Sequence, residues 1–254
     1  MLIDTHSHLY AADFEEDRKQ VLETAQKAGV ERVFLPAIYS ETHAQMMKLV
    51  SESSGYCLPM MGLHPCSVNE RYREELEIVQ QWLEQEKFYA IGEIGLDFYH
   101  STAFKTEQEE AFSIQIDLAL TYQLPIDIHS RSSMDECIKM IEHKQNGSLR
   151  GIFHCYGGDE RQARKIIEMG FMLGIGGVVT YKNAGLANLI EKLPLEFLVL
   201  ETDAPYLTPV PFRGKRNESS YIRYVAEKIA SIKNISFEEV ARATTINAKK
   251  IFSF

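Results

Sequence analysis

Seven ionisable residues of this chain stand at the ends of short apolar runs. His6 and His8 follow "MLID", His64 ends "CLPMMGLH", and Glu93 stands in "FYAIGEIGL". His129 follows "LPIDI", His154 follows "RGIF", and Asp203 follows "EFLVLET". One histidine at a strand end is ordinarily a hydrogen-bonded rim residue, and His-x-His alone recurs by chance. Convergence changes the argument, because burying so many polar groups without a cation costs several kcal/mol apiece in lost hydration. A bound metal supplies the compensating charge. Alternation along a strand sends residues 6 and 8 to one face, so one strand can offer one ion two imidazoles. Four imidazoles with two carboxylates suit two divalent ions; imidazole favours zinc, nickel, iron or manganese, and carboxylate widens the choice to magnesium. A glutamate has one oxygen for each ion, which makes Glu93 the natural bridge. Two such ions, roughly 3.5–4 Å apart, could share a hydroxide and clamp both oxygens of a phosphoryl displacement.

Positioning these groups requires a repeated element. Apolar runs at 1–6, 32–38, 57–64, 88–96, 124–130, 150–155, 171–177 and 196–203 have the composition of strands covered on both faces. Helical patterns lie between them, near 14–28, 41–53, 105–121, 132–145, 159–169 and 184–192. Leu76, Val79 and Leu83 form one helical stripe, and Ile222, Val225, Ala226 and Ile229 form another. Ser236 and Glu239 make a capping-box pattern that starts a last helix. Eight strands alternating with eight or nine helices predict a (β/α)8 TIM-type barrel, one domain over 1–254, with its chemistry at the C-terminal strand ends. The competing open doubly wound sheet lacks a Gly-rich phosphate loop after its first strand.

Composition narrows the class further. The 254 residues are 45% hydrophobic, ample for a core, and carry a formal charge of −9. An acidic total argues against a lysine-coated duplex binder, leaves room for a local basic patch, and favours cations in a pocket. Cys57, Cys66, Cys137 and Cys155 are scattered, a pattern of reduced thiols rather than a disulfide framework. "MLIDTHSH" has neither a basic leader nor a long apolar core, and no run of about 18 apolar residues occurs, so we expect a cytoplasmic protein without a membrane span. No interface stripe stands out, and the expectation is a monomer.

"DTHSHL", "GEIGLDFY", "HSR", "HCYGG" and "LETDAPYLTP…RGKRNES" together resemble the TatD-type metal-dependent deoxyribonucleases of the amidohydrolase superfamily. The matched segments keep their order from residue 4 to residue 219. The resemblance implies that His6, His8, Glu93 and Asp203 hold one ion and that Glu93, His129 and His154 hold a second. It also implies divalent-metal hydrolysis of DNA, with 3′→5′ exonuclease activity in some members. Ser7, Gly157 and Ser219 depart from residues common among relatives, and none is an implied ligand.

Roles for the surrounding groups follow from their chemistry. Asp203 is expected to orient the attacking water and take its proton, while Glu93 bridges. His64, outside the ligand set, could donate to a phosphate oxygen or simply pack before Pro65. Asp97 is expected to orient a histidine ligand. Arg131 could meet a neighbouring phosphate or pair with Asp135. Arg213, Lys215 and Arg216 on the loop 208–217 could grip a nucleic-acid backbone, or be solvated charges. Phe98, Tyr99 and Tyr206 could stack on bases, with core packing the ordinary expectation. His43, His100 and His143 are expected to face solvent without a role. The leading expectation is a phosphodiesterase acting on single strands or ends of DNA with Mg²⁺, Mn²⁺ or Zn²⁺, since a buried ion pair does not readily admit a duplex. A barrel with the same metals could instead cleave esters or amides, such as the aminoacyl ester of a D-aminoacyl-tRNA; a metal-holding protein without catalysis is the third reading.

Overall fold

All eight apolar runs become parallel strands in the computed structural model, which describes residues 1–254. They are β1 (Leu2–Asp4), β2 (Val30–Pro36), β3 (Cys57–Met60), β4 (Ile91–Asp97), β5 (Ile126–Arg131), β6 (Gly151–Phe153), β7 (Met172–Ile175) and β8 (Leu198–Leu200). Nine helices alternate with them: α1 (Arg18–Lys27), α2 (Ser40–Glu52), α3 (Tyr72–Gln85), α4 (Lys105–Tyr122), α5 (Met134–Lys144), α6 (Glu160–Glu168), α7 (Leu186–Lys192), α8 (Ile222–Lys233) and α9 (Phe237–Phe252). Neighbours in sequence are neighbours in the sheet, in two arcs, β1-β2-β3 and β4 to β8. The arcs meet at two seams, where Ser7 bridges Ala204 and Met61 bridges Ile91. Thr5 N donates to Leu200 O (3.0 Å) at one seam and Gly92 N to Met61 O (3.0 Å) at the other. The result is TIM-barrel-like, with single bridges rather than continuous ladders at the seams. No strand order reverses, which removes the doubly wound alternative.

The helical stripes bury as expected, with Leu76, Val79 and Leu83 of α3 and Ile222, Val225, Ala226 and Ile229 of α8 in the core. Ser236 caps α9, its Oγ accepting from Glu239 N at 3.1 Å. Inside the strands a second apolar cluster gathers Ile3, Phe34, Leu58, Met60, Ile152, Met172 and Val199 against Ala248, Ile251 and Phe252 of α9. Phe252 stacks on Phe34 with centroids 3.8 Å apart. The last helix therefore closes the N-terminal end of the barrel. Two-residue steps along the same interior faces then lead from apolar to ionisable groups: Ile152 to His154, and Val199 to Glu201 to Asp203. The interior is dry at one end and chemically equipped at the other.

Several boundaries differ from expectation. β1 stops at Asp4, so His6 and His8 lie on its extended continuation rather than in the strand. Glu93 sits near the start of β4, not at its end, because β4 runs on to pair Gly95, Leu96 and Asp97 with His129, Ser130 and Arg131. No helix is long and apolar enough to cross a membrane.

His43 is a correction. It is buried in α2 rather than solvent-facing, edge-on to Trp82 at 6.3 Å, and neither ring nitrogen has a partner. Burial pushes the imidazole down to about 4, against an opposing pull from the Glu75 carboxylate. The unfolded chain takes up this proton near pH 6.5, the native state only near pH 4, so stability falls as pH drops through that window. Urea unfolding at pH 7 and pH 5 is expected to show His43→Leu losing about 2 kcal/mol less than the parent on acidification. Equal losses in both proteins would contradict the assignment.

Candidate metal centre

Strands from opposite sides of the barrel bring five ligand-type side chains around the two oxygens of Glu93. On the Oε2 side, His6 Nε2 lies 3.3 Å away and His8 Nε2 3.6 Å. The two imidazole nitrogens are 3.3 Å apart, and each faces Asp203 Oδ1, at 3.6 and 3.7 Å. An ion with tetrahedral arms of about 2.0–2.2 Å separates its ligand atoms by roughly 3.3–3.6 Å, so these atoms fit a first-row divalent cation. On the Oε1 side, His129 Nδ1 lies at 2.7 Å and His154 Nε2 at 2.8 Å, with 3.4 Å between the two nitrogens. The structure thus gathers all six residues expected from the sequence into two donor groups sharing one carboxylate.

Electrostatics point the same way. Burial and the stacked His154 ring disfavour charge on His6, yet the Asp127 and Glu93 carboxylates raise it to about 10. Burial alone would raise Glu93, but the imidazoles of His64, His154 and His6 hold it well below the usual carboxylate range. Carboxylates this deeply surrounded by imidazoles need positive charge beside them, which protons or metal can supply. Exposure sets the direction of approach. The side chains of His129 (16%) and Asp203 (14%) are open to the mouth, whereas His6 (0%) and Glu93 (3%) are sealed beneath.

Three of the four imidazoles are held from behind. Asp127 Oδ2 contacts His6 Nδ1 at 2.6 Å, and Asp97 Oδ2 contacts His129 Nε2 at 3.0 Å. His8 Nδ1 faces the Tyr10 hydroxyl at 3.1 Å, and that hydroxyl donates to Pro36 O at 2.7 Å. Behind the fourth, His154, Glu201 Oε1 stands 3.6 Å from Nδ1, beyond hydrogen-bond reach, and accepts from Cys155 N instead. Such partners fix which nitrogen is free for a metal and raise its basicity. Asp97 stands where expected; Asp127, Glu201 and Tyr10 were not identified from sequence. Their signal was there, since Asp127 and Glu201 each precede a candidate ligand by two residues and share its face. Space for Glu201 is reserved by Gly174 on β7, where an added Cβ would meet Glu201 Oε2 at 2.1 Å.

His64 Nε2 lies 3.3 Å from Glu93 Oε1, while its Nδ1 accepts from Cys66 N at 3.0 Å and caps the short turn Pro65–Ser67. A neutral ring accepting at Nδ1 carries its proton on Nε2, so His64 presents a donor rather than a ligand nitrogen. Asp203 adopts a left-handed backbone, φ 55°, which aspartate tolerates. Its N–H donates to His6 O (2.9 Å), and His8 N donates to Ala204 O (2.7 Å), joining the two ligand segments across the seam.

The outer groups are redistributed. Arg131 does not pair with Asp135, which instead accepts from Arg161 and Gln162; its guanidinium lies 4.1 Å from the Tyr99 ring centroid. Arg216 is occupied by both oxygens of Asp17 (2.9 and 2.6 Å) and by Asp13 O, which neutralises one charge of the basic loop. Arg213 lies against Tyr181 and Lys215 against Phe212, with no carboxylate pairing either. Tyr99 and Tyr206 are exposed rather than packed, whereas Phe98 is partly buried against the core. His143 is exposed as expected; His100 is also exposed, but its Nδ1 holds Asp97 Oδ2 at 2.8 Å.

Comparison with known proteins places this arrangement. Residues 3–253 match the family model described as TatD related DNase. A Bacillus subtilis protein named as an uncharacterized metal-dependent hydrolase, YabD, is 39% identical over 253 residues, covering 99% of both chains. A Pantoea ananatis protein named 3′-5′ ssDNA/RNA exonuclease TatD is 29% identical over 257 residues, again covering 99% of both. The crystal structure of YjjV, a TatD homologue from Escherichia coli, superposes with a TM-score of 0.92 at 30% identity, covering 100% of this chain and 98% of that one. The family match runs from the second residue of β1 to the penultimate residue of the chain, and the protein belongs to the TatD-related DNase family of metal-dependent hydrolases.

Proposed function

We propose that this protein hydrolyses phosphodiester bonds of single-stranded DNA, removing nucleotides from the 3′ end. The observation that carries the reading is the division of Glu93, one oxygen to His6 and His8 and the other to His129 and His154. That donor set fits two divalent cations, held by His6, His8, Glu93 and Asp203 and by Glu93, His129 and His154. Bound there, they would supply Lewis acidity toward a phosphate oxygen and a water acidified toward neutral pH. Asp203, at the open side of the first group, is placed to orient the attacking water and take its proton. His64 offers its Nε2–H to a phosphate oxygen as charge builds on phosphorus. Arg131, Arg213 and Lys215 supply cations for neighbouring phosphates, and Asp97 keeps His129 turned toward the site. The single-strand and 3′-end elements are supported by the Pantoea relative's name and by the depth of Glu93 below the mouth.

The test is hydrolysis of matched single-stranded, duplex, and 5′- or 3′-blocked DNA oligonucleotides with Mg²⁺, Mn²⁺ or Zn²⁺, beside RNA and an aminoacyl-tRNA ester. Cleavage of single strands that a 3′ block abolishes is expected. Equal rates on duplex would remove the strand preference, and ester hydrolysis without DNA cleavage would replace the reading.

A further inference from the structure

Large aromatic side chains rarely stand in solvent without a partner, yet Tyr99 is 64% exposed and Tyr206 56%. Both leave the C-terminal end of the barrel, and each is tied to a different donor group. Tyr206 N donates to Asp203 O at 2.8 Å, and its ring meets the His8 ring edge-on at 6.3 Å. Tyr99 N donates at 3.0 Å to Asp97 Oδ1, whose other oxygen holds His129. Tyr206 thus sets its ring beside the His6–His8–Asp203 group, and Tyr99 is anchored through its backbone to the carboxylate that holds His129 on the other side of Glu93. Arg131 lies 4.1 Å from the Tyr99 centroid, covering part of that ring with a cation. Both rings are more than half exposed, so each leaves aromatic surface open at the mouth.

Resting on the phosphodiesterase reading above, we propose that Tyr99 and Tyr206 are stacking platforms for the two nucleobases that flank the cleaved phosphate. A phosphate seated at Glu93 sends its two nucleosides in opposite directions, toward opposite donor groups and so toward the two rings. Every base has a π-face, which makes such platforms tolerant of sequence. Only bases freed from a duplex stack can lie on them, which ties strand preference to these residues as well as to the depth of the site. Arg131 adds positive charge beside the Tyr99 platform, where the next phosphate of the strand passes.

The experiment uses the metal-loaded protein and single-stranded oligonucleotides with either a normal base or an abasic sugar at each nucleotide flanking the cleaved bond. Tyr99→Ala and Tyr206→Ala are each expected to raise KM between about 5- and 100-fold on the normal strand. Each penalty should vanish on the strand that is abasic at the matching position, and Tyr→Phe should keep the parent's KM. As a readout apart from turnover, 2-aminopurine at either flanking position should be quenched on binding to the parent and less so on binding to the matching Ala variant. Unchanged KM values, or penalties that persist in full on abasic strands, would overturn the platforms and leave the phosphodiesterase reading standing. A parent that cuts none of these strands would overturn both.

Discussion

Under the proposed two-cation phosphodiesterase reading, replacing Glu93 with alanine is expected to lower DNA hydrolysis at least about 1,000-fold and to strip both cations at once. Its two oxygens face different pairs of imidazoles, Oε2 at 3.3 and 3.6 Å and Oε1 at 2.7 and 2.8 Å. It is the one carboxylate whose two oxygens are divided between the two groups. Losing several kcal/mol of charge stabilisation at the reacting phosphate corresponds to this scale, at tenfold per 1.36 kcal/mol. His129→Ala should be milder in metal content, because it removes a donor from the Oε1 side alone. Turnover of a single-stranded oligonucleotide, measured with the metal content of the purified variants, separates the two. A Glu93→Ala protein that retained two tightly held ions would show that the carboxylate is not shared.

Asp203→Asn is expected to keep metal and lose chemistry. The amide preserves size and one oxygen beside His6 and His8, at positions now 3.6 and 3.7 Å from the imidazoles, but cannot take a proton at neutral pH. Removing a positioned general base costs about 10²–10⁴-fold, and the loss should fall on kcat with KM nearly unchanged. Asp203→Ala should instead also lower metal content. If Asp203→Asn stayed within about tenfold of the parent, the proton acceptor would be another group.

These two predictions use residues legible in the chain before any fold is built. His6, His8, Glu93, His129, His154 and Asp203 were recognisable because each follows or interrupts an apolar run, and apolar runs of this length mark buried parallel strands. In a barrel of such strands the C-terminal ends meet, so residue type and place in the run together pointed to the candidate site. The α3 and α8 stripes and the Ser236 cap were local patterns too, and they hold. His43 was misjudged for the same local reason. A polar residue in a helical segment is ordinarily outward-facing, and only the packing of α2 on Trp82 buries it. Tyr99 and Tyr206 went the other way, aromatic and therefore expected inside, yet outside because their backbones turn back onto Asp97 and Asp203.

By itself, then, the amino-acid sequence determined which residues are candidate ligands, the strands that carry them and the end of the barrel where they assemble. Those are consequences of residue chemistry and of two-residue and 3.6-residue periodicities, which act over short separations. The tertiary structure decided what stands behind and around the ligands. Asp127 reaches His6 across 121 positions of chain and Asp97 reaches His129 across 32. Arg216 is spent on Asp17, which lies 199 positions away. No periodicity links such pairs; β4–β5 pairing brings Asp97 to His129, and closing the barrel brings β5 opposite β1 and the loop after β8 against α1. The free nitrogen of each imidazole, and the charges left over for a substrate, follow from that closure.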